Sequence, residues 1–532
     1  MPEDLSGLNA IISEHLAELS KPGVLSVRPG YKMTNGWLTS TPAIVVTVTE
    51  KKPQLPAGEL LPAEVGGVPT DVRQASAEKR KELEDPEAYA QEYRLAPDQG
   101  SVPHFADEQA LAGTQPGRHP AALASAHAQL AAATAKKPQL DYGGPDGVTL
   151  DPVEGQATIH LSASPDTGWP TLKGFLAATT QSLTVGLYDF TSAHVLSAVE
   201  GDLAGKQFSL VLDHPPKNPT ADQTDPDTVA DLTKALAGEF TQAWALTRTD
   251  KDATAWIYPT AYHIKVAVRD RAAFWLSSGN WNNSNQPDID PVSQPGDAAE
   301  ARHRDRDWHV VVEQAQVAGV FEDFIKHDLT VAGSHNQVAD QAGTPLPPPA
   351  QGSTETPVFT TFFPPKTVTG QVRITPLLTP DPGVYTTAVK ALIASATQTL
   401  YMQFQYIELP RQTDSTSQGF VDLVQAVIDR QTAGVDVKIV MSEFETAGYL
   451  EQLQALGLDV VSNVKIQNNV HNKGIIADGQ RVLVSSQNWS TDGTLYNRDA
   501  GVIIENPDAA QYFQQIFQHD WDHLAKQKAK SD

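Results

Sequence analysis

Two histidines, two lysines and two asparagines stand in matched frames in this chain. His263-Ile264-Lys265 is followed after four residues by Asp270, and after six more by Ser277-Ser278-Gly279-Asn280-Trp281. His471-Asn472-Lys473 is followed at the same distances by Asp478 and by Ser485-Ser486-Gln487-Asn488-Trp489. Every matched position is offset by 208 (471 − 263, 488 − 280). A lone His-x-Lys recurs by chance, but two copies agreeing in spacing are hard to obtain that way. These residue types suit the cleavage of a phosphodiester, whose charged oxygens repel nucleophiles. Lys265 and Lys473 can neutralise the nonbridging oxygens, and Asn280 and Asn488 can donate hydrogen bonds to them. One neutral imidazole can attack in line and form a covalent intermediate. The other, protonated, can give its proton to the leaving alkoxide, and the roles reverse when water or an alcohol arrives. An ordinary histidine pKa of about 6.5 serves both duties near neutrality. Such a site requires no metal, and no cofactor is expected.

The repeat extends beyond the motif. Pro165-Asp166 corresponds to Pro380-Asp381, and the apolar runs SLTVGLYDF and TLYMQFQY occupy comparable places. Downstream, Arg306-Asp307 matches Arg498-Asp499, Phe321 matches Phe513, and His327-Asp328 matches His519-Asp520, now with an offset of 192 (499 − 307, 519 − 327). The drop of 16 (208 − 192) implies a loop inserted in the first half, within NNSNQPDIDPVSQPGDAAEARHR, whose Pro, Gly and Asp content agrees. Each half alternates strand-like and helix-like runs, which argues α/β with a mixed or mostly parallel sheet. Each closes on an amphipathic helix; Phe513, Phe517 and Trp521 form an inward stripe. The halves span 154–335 and 371–532. Between them, 336–370 is a Pro-rich linker, stiff and extended.

Before the repeat, 1–75 reads as a small α/β unit. Leu5, Leu8, Ile12, Leu16 and Leu19 fall at helical spacing, 24–27 and 43–48 read as strands, and Gly30 and Asn35-Gly36 as turns between them. Residues 76–153 form an Ala/Pro/Gly-rich, partly helical connector. No catalytic constellation falls before residue 150.

The 532 residues predict roughly three to four domains. Composition is that of a globular protein, with mean hydropathy −0.32 and no cysteine, which excludes disulfides and cysteine-ligated zinc. The start of the chain does not read as a signal peptide, and no apolar run is long enough to span a membrane, so a cytoplasmic protein is the expectation. A net charge of −25 weighs against a broad nucleic-acid grip or an anionic membrane surface.

The duplicated motif resembles the phospholipase D superfamily, whose signature is His-x-Lys-x4-Asp-x6-Gly-Ser-x-Asn. The resemblance covers both halves. It departs at Ser277 and Ser485, where the family usually has glycine and where a side chain is now added beside the site. It implies two α/β lobes related by a pseudo-twofold axis and sharing one active site, with His263 as nucleophile and His471 as general acid. Asp307 and Asp499 fall where the family places an acidic residue that orients a histidine. Asp270 and Asp478 are expected to hold local turns, Ser278 and Ser486 to make supporting hydrogen bonds, and Trp281 and Trp489 to pack.

The expected substrate is a phosphodiester, with a phospholipid favoured and hydrolysis or transfer both open. A metal-independent nuclease is the alternative, because the second motif is close in style to nuclease members. An inactive binding module is a further one; protein partners are unassigned. Other candidates are weaker. Asp288, Asp290 and Asp297 match no calcium-loop spacing and read as solvated loop acids. His214-Pro215-Pro216-Lys217 reads as a plain loop. Arg302, Arg304 and Arg306 either help to hold an anion or pair with nearby acids.

Overall fold

The computed structural model describes residues 5, 7–34, 37–49, 51, 56–74, 143–213, 221–248, 253–255, 261–302, 304–334, 361–381, 383–410, 417–442 and 446–530. Among them, both halves of the chain contribute to one mixed sheet of 14 strands, and each half supplies its strands in the same spatial order. From the centre outward, the first half gives Val153–Ser164, Asp307–Glu313, Ala273–Ser277, Lys265–Arg269, Ser182–Leu187, Gln207–Leu212 and Phe240–Trp244. The second gives Lys366–Thr379, Asp499–Glu505, Arg481–Ser485, Lys473–Ala477, Thr399–Phe404, Asp436–Met441 and Val464–Ile466. The two central strands pair antiparallel, from Leu161 opposite Lys366 to Val153 opposite Ile374. The order therefore reads identically outward from this seam, as a twofold axis through it would generate.

Parallel pairing is confined to the outer three strands of each half. The sheet is thus mixed rather than mostly parallel, because each motif builds a hairpin and hairpins are antiparallel. The strand Val153–Ser164 begins one residue before the expected start of its lobe, and Lys366–Thr379 begins inside the stretch read as linker.

The closing helices Ala315–Gly333 and Pro507–His519 pack onto the sheet. Phe513 and Phe517 are fully buried and Trp521 nearly so, as the spacing predicts. Phe513 stacks on Trp308 of the other lobe with ring centroids 4.7 Å apart, so this stripe also seals the lobes together.

The N-terminal unit carries helices Leu8–Glu14 and Leu16–Leu19 over a four-stranded sheet of Val24–Thr34, Trp37–Val48, Val68–Gln74 and Glu64–Val65, around Ile12, Leu19, Val27, Ile44 and Val46. Gly30 is not a turn. It pairs with Ala43 inside the ladder, where an added Cβ would lie 2.7 Å from a Val45 methyl carbon, so close packing explains the glycine. The unit docks on the second lobe through buried Glu451, which receives Arg28 Nη2 at 2.6 Å and Arg73 Nη2 at 2.7 Å. Asn35-Gly36, the connector segments read as helical, His214–Lys217 and most of the Pro-rich linker lie outside the described residues. Among the described residues, no helix is long and apolar enough to cross a membrane.

Candidate active site

Each motif folds as a hairpin because of its aspartate. Asp270 and Arg271 both take positive φ, 54° and 52°, between strands Lys265–Arg269 and Ala273–Ser277. Asp478 and Gly479 do the same, at 53° and 60°, between Lys473–Ala477 and Arg481–Ser485. Two central residues of positive φ make the turn whose twist suits a tight hairpin, and aspartate tolerates that conformation. The Asp270 carboxylate accepts the backbone N–H groups of Thr180, Gln181 and Ser182, where the next strand begins. Asp478 accepts those of Thr397, Gln398 and Thr399. These acids hold the turns, at the far end of the strand from the histidine. Burial alone would raise their pKa values, but the backbone donors outweigh it and both are lowered.

The lobes then cross. His263 N–H donates to the Arg498 carbonyl at 2.7 Å, and His471 N–H donates to the Arg306 carbonyl at 3.1 Å. Each histidine-bearing segment is thereby laid against the other lobe, one residue before its aspartate. The arginines are fully buried and anchor the crossing. Arg306 pairs with Asp166 of its own lobe and with Asp520 of the other. Arg498 pairs with Asp381 of its own lobe and Asp328 of the other, at 2.9 and 2.7 Å. The repeated Pro-Asp, Arg-Asp and His-Asp pairs are visible in the sequence, but this shared role is not.

The outcome is two crosswise pairs. His263 Nδ1 lies 2.8 Å from Asp499 Oδ1, and His471 Nδ1 lies 2.9 Å from Asp307 Oδ1. An ionised carboxylate only accepts, so each Nδ1 carries the proton and each Nε2 keeps its lone pair. Ser278 Oγ donates to Asp307 and Ser486 Oγ to Asp499, each at 2.6 Å, extending both relays. Lys265 Nζ donates to the His263 carbonyl at 2.6 Å, and Lys473 likewise to that of His471. The side-chain oxygens of Asn280 and Asn488 are buried and have no hydrogen-bond partner among the described residues.

The electrostatics bind the groups into one site. Burial first, then the adjacent lysine, pushes both histidines down to about 4, and each histidine also feels the other lobe's lysine. Burial lowers Lys473 to about 8 and pushes Lys265 well below its ordinary value, against the pull of Asp307 and Asp499. Burial would raise Asp307, yet His471 and Lys473 overcome this and bring it down to about 2. The cleft therefore sets neutral imidazoles beside two lysines whose charge burial opposes and Asp307 and Asp499 support.

The remaining expectations separate cleanly. Ser277 Oγ meets His309 Nδ1 at 2.6 Å and Ser485 Oγ donates to the Lys473 carbonyl at 2.9 Å, so the two serines replacing glycine are absorbed by the sheet. Trp281 and Trp489 are fully buried. Arg304 pairs with Glu300 at 2.6 Å, and with Arg306 committed to Asp166 and Asp520, two of the three clustered arginines serve acids rather than a ligand. The loop acids tie the insert down: Asp288 accepts from Trp169 Nε1, Asp290 from Ser293 N–H, and Asp297 from Asp290 N–H. Sequence reasoning missed Asn285, which donates to Asp307 Oδ2 at 3.0 Å. The motif offset sets it opposite Gly493, so the repeat gave no matching side chain to flag it.

A family model described as cardiolipin synthase, phospholipase D-like domain, matches residues 389–521, which contain the whole second motif. Over that stretch the chain is similar to the phospholipase D superfamily. Curated proteins give no significant match. Among solved structures, the chain is similar to phosphatidylserine synthase of Haemophilus influenzae, with 12% identity, a TM-score of 0.45, and coverage of 69% of this chain and 87% of that one. It is also similar to the phospholipase D family member Nuc of Salmonella typhimurium, with 22% identity, a TM-score of 0.25, and coverage of 30% and 99%. A third is polyphosphate kinase of Porphyromonas gingivalis, with 12% identity, a TM-score of 0.39, and coverage of 68% and 50%.

Proposed function

We propose that the chain is a phosphodiesterase that works through a covalent phospho-histidine and hydrolyses or transfers a phosphodiester. The observation that carries this reading is the pair of crosswise His–Asp contacts with both lysines acting on both imidazoles. His263 Nε2 attacks phosphorus. The bond to the leaving oxygen breaks, and His471 supplies that oxygen with a proton. Water or an alcohol, deprotonated by His471, then displaces His263. Lys265 and Lys473 neutralise the nonbridging oxygens, and the side-chain amides of Asn280 and Asn488 donate to them. Asp499 and Asp307 hold the tautomers and steady each imidazole when it becomes cationic.

Both histidines are held neutral by burial and the lysines, so the acid must gain its proton with the substrate. A phosphodiester between the lysines reverses the sign of the local field and lifts His471 toward protonation. The substrate we favour is a phospholipid. Its support is the description of the matching family model and the chain's charge of −25, which opposes a long polyanion.

The test is turnover of phosphatidylcholine vesicles, single-stranded DNA and bis(p-nitrophenyl) phosphate in chelator, with an alkaline denaturing quench and peptide mass analysis. Lipid turnover with a phosphoryl group on His263, lost in His263→Ala, supports the reading. DNA cleavage without lipid turnover moves the substrate to nucleic acid. Turnover with no phosphorylated histidine refutes the mechanism.

A further inference from the structure

The two half-sites are built alike but are not equally satisfied. Asp307 uses both oxygens: Oδ1 accepts from Ser278 and His471, and Oδ2 accepts from Asn285 Nδ2 at 3.0 Å. Asp499 receives the matching pair, Ser486 and His263, on Oδ1. Its Oδ2 has no hydrogen-bond partner among the described residues, although the residue is fully buried. A native protein rarely leaves a buried carboxylate oxygen unmet, and such a group calls for a reason.

The difference traces to one residue of the insert. Asn285 is buried, with 1% exposure. Its Nδ2 also reaches Asp305 Oδ2 at 2.8 Å, and its Oδ1 accepts the backbone N–H of Asn280 at 2.9 Å. The motif offset places Gly493 opposite it (285 + 208). A Cβ at Gly493 would collide with the Asn488 carbonyl oxygen, so the second lobe has no room there for a side chain.

A carboxylate oxygen that accepts a hydrogen bond surrenders part of its pull on other partners. We propose that Asn285 is a positioning residue that gives the pseudo-symmetric site its direction, by drawing charge from Asp307 so that His471 releases its proton more readily, while Asp499 keeps its charge for His263 and favours that imidazole as the phosphoryl carrier. The inference rests on the phospho-histidine reading above. In the step concerned, an N–P bond forms at His263 Nε2, the P–O bond to the leaving group breaks, and the His471 proton passes to the leaving oxygen.

The other charges fall on both half-sites, with the Asp189 carboxyl acting on Lys265 and the Asp305 carboxylate on Lys473. Lys265 and Lys473 act on both histidines. His309 flanks Asp307 from the same strand, and burial lowers it to about 4, so it is uncharged near neutrality. Asp305 adds negative charge near Lys473, on the side of His471, and Asn285 binds this carboxylate too. Beside Asp499 stand Tyr385 and Tyr406, both pushed upward by burial and so neutral.

The experiment uses the full chain and Asn285→Leu, which keeps the branched shape and removes the donor together with the acceptor of the Asn280 N–H. Two probes are compared: diphenyl phosphate, whose leaving group needs a proton, and bis(p-nitrophenyl) phosphate, whose leaving group does not. An alkaline quench then locates the aryl-phosphoryl group. The unsubstituted chain is expected to carry it on His263 alone. In Asn285→Leu it should appear on His471 as well. The alkaline limb of kcat for diphenyl phosphate should move up by about one pH unit, as Asp307 regains its hold on the His471 proton. The limb for bis(p-nitrophenyl) phosphate should stay in place. If Asn285→Leu does not fold, Asn285→Asp keeps the shape and the Asn280 contact, and the added charge should move the same limb in the same direction. A lower kcat with label confined to His263 and an unmoved limb would mean that Asn285 only supports the loop, and the proposal fails. No labelled histidine in the unsubstituted chain refutes the phospho-histidine reading itself and takes this inference with it.

Discussion

Anion binding should be driven by proton uptake, and the size of the effect follows from the site. Burial and the lysines hold His263 and His471 at about 4. At pH 7 only about one molecule in a thousand then carries a proton on a given imidazole, and placing one there costs about 4 kcal/mol. A dianion lodged between Lys265 and Lys473 cancels the repulsion that accounts for part of this cost. Sulfate is a suitable probe because its own charge is constant across the range. If one imidazole is lifted well above 7.5, linkage makes the logarithm of affinity change by about one per pH unit. Lowering the pH from 7.5 to 6.0 should then tighten sulfate binding by about 30-fold. Titration calorimetry in buffers of different ionisation enthalpy counts the protons directly, and about one should enter per sulfate bound. His471→Asn should remove most of the pH dependence, since that imidazole is the assigned acid. Affinity that stays flat from pH 7.5 to 6.0, with no proton taken up, would refute the argument that substrate charge recruits the acid.

Two further outcomes follow. Arg498→Met strands Asp328 and Asp381 in the interior without their counter-charge, which should cost about 3–5 kcal/mol in guanidinium unfolding and lower turnover through the misplaced His263 segment; an unchanged midpoint would remove the arginine from its anchoring role. Three buried histidines, His263, His309 and His471, sit at about 4 when folded and near 6.5 when unfolded. The unfolded chain therefore binds more protons, and the stability these groups contribute is complete above about 6.5 and lost as pH falls toward 4, by an order of 3 kcal/mol each. Thermal midpoints should drop across that window, and His309→Gln should flatten the slope; a midpoint indifferent to pH there would contradict the burial assigned to them.

Much of the architecture was written in local patterns. The apolar run KVAVR, a turn residue able to take positive φ, and the run AFWLS suffice for a hairpin, and the same recipe recurs at Lys473–Ser485. The closing stripe of Phe513, Phe517 and Trp521 gave its inward face by helical spacing alone. Gly30 misled because glycine marks turns and crowded ladder positions alike, and only the neighbour across the strand, Val45, separates them. The parallel or antiparallel sense of the sheet was equally hidden, since alternating strands and helices fit either until the hairpins are paired.

The duplication of His-x-Lys, aspartate and asparagine determined by itself which chemical groups this protein brings to a phosphodiester, because residue type and spacing are one-dimensional facts. It could not determine which aspartate serves which histidine. A repeat is equally consistent with pairing inside a lobe and pairing between lobes. The fold decided for the latter: buried Arg306 and Arg498 draw each histidine segment onto the opposite lobe, so that His263 meets Asp499 and His471 meets Asp307. Each pair thus joins residues more than 160 positions apart, and only the energy of closing the two lobes on each other brings them within a hydrogen bond.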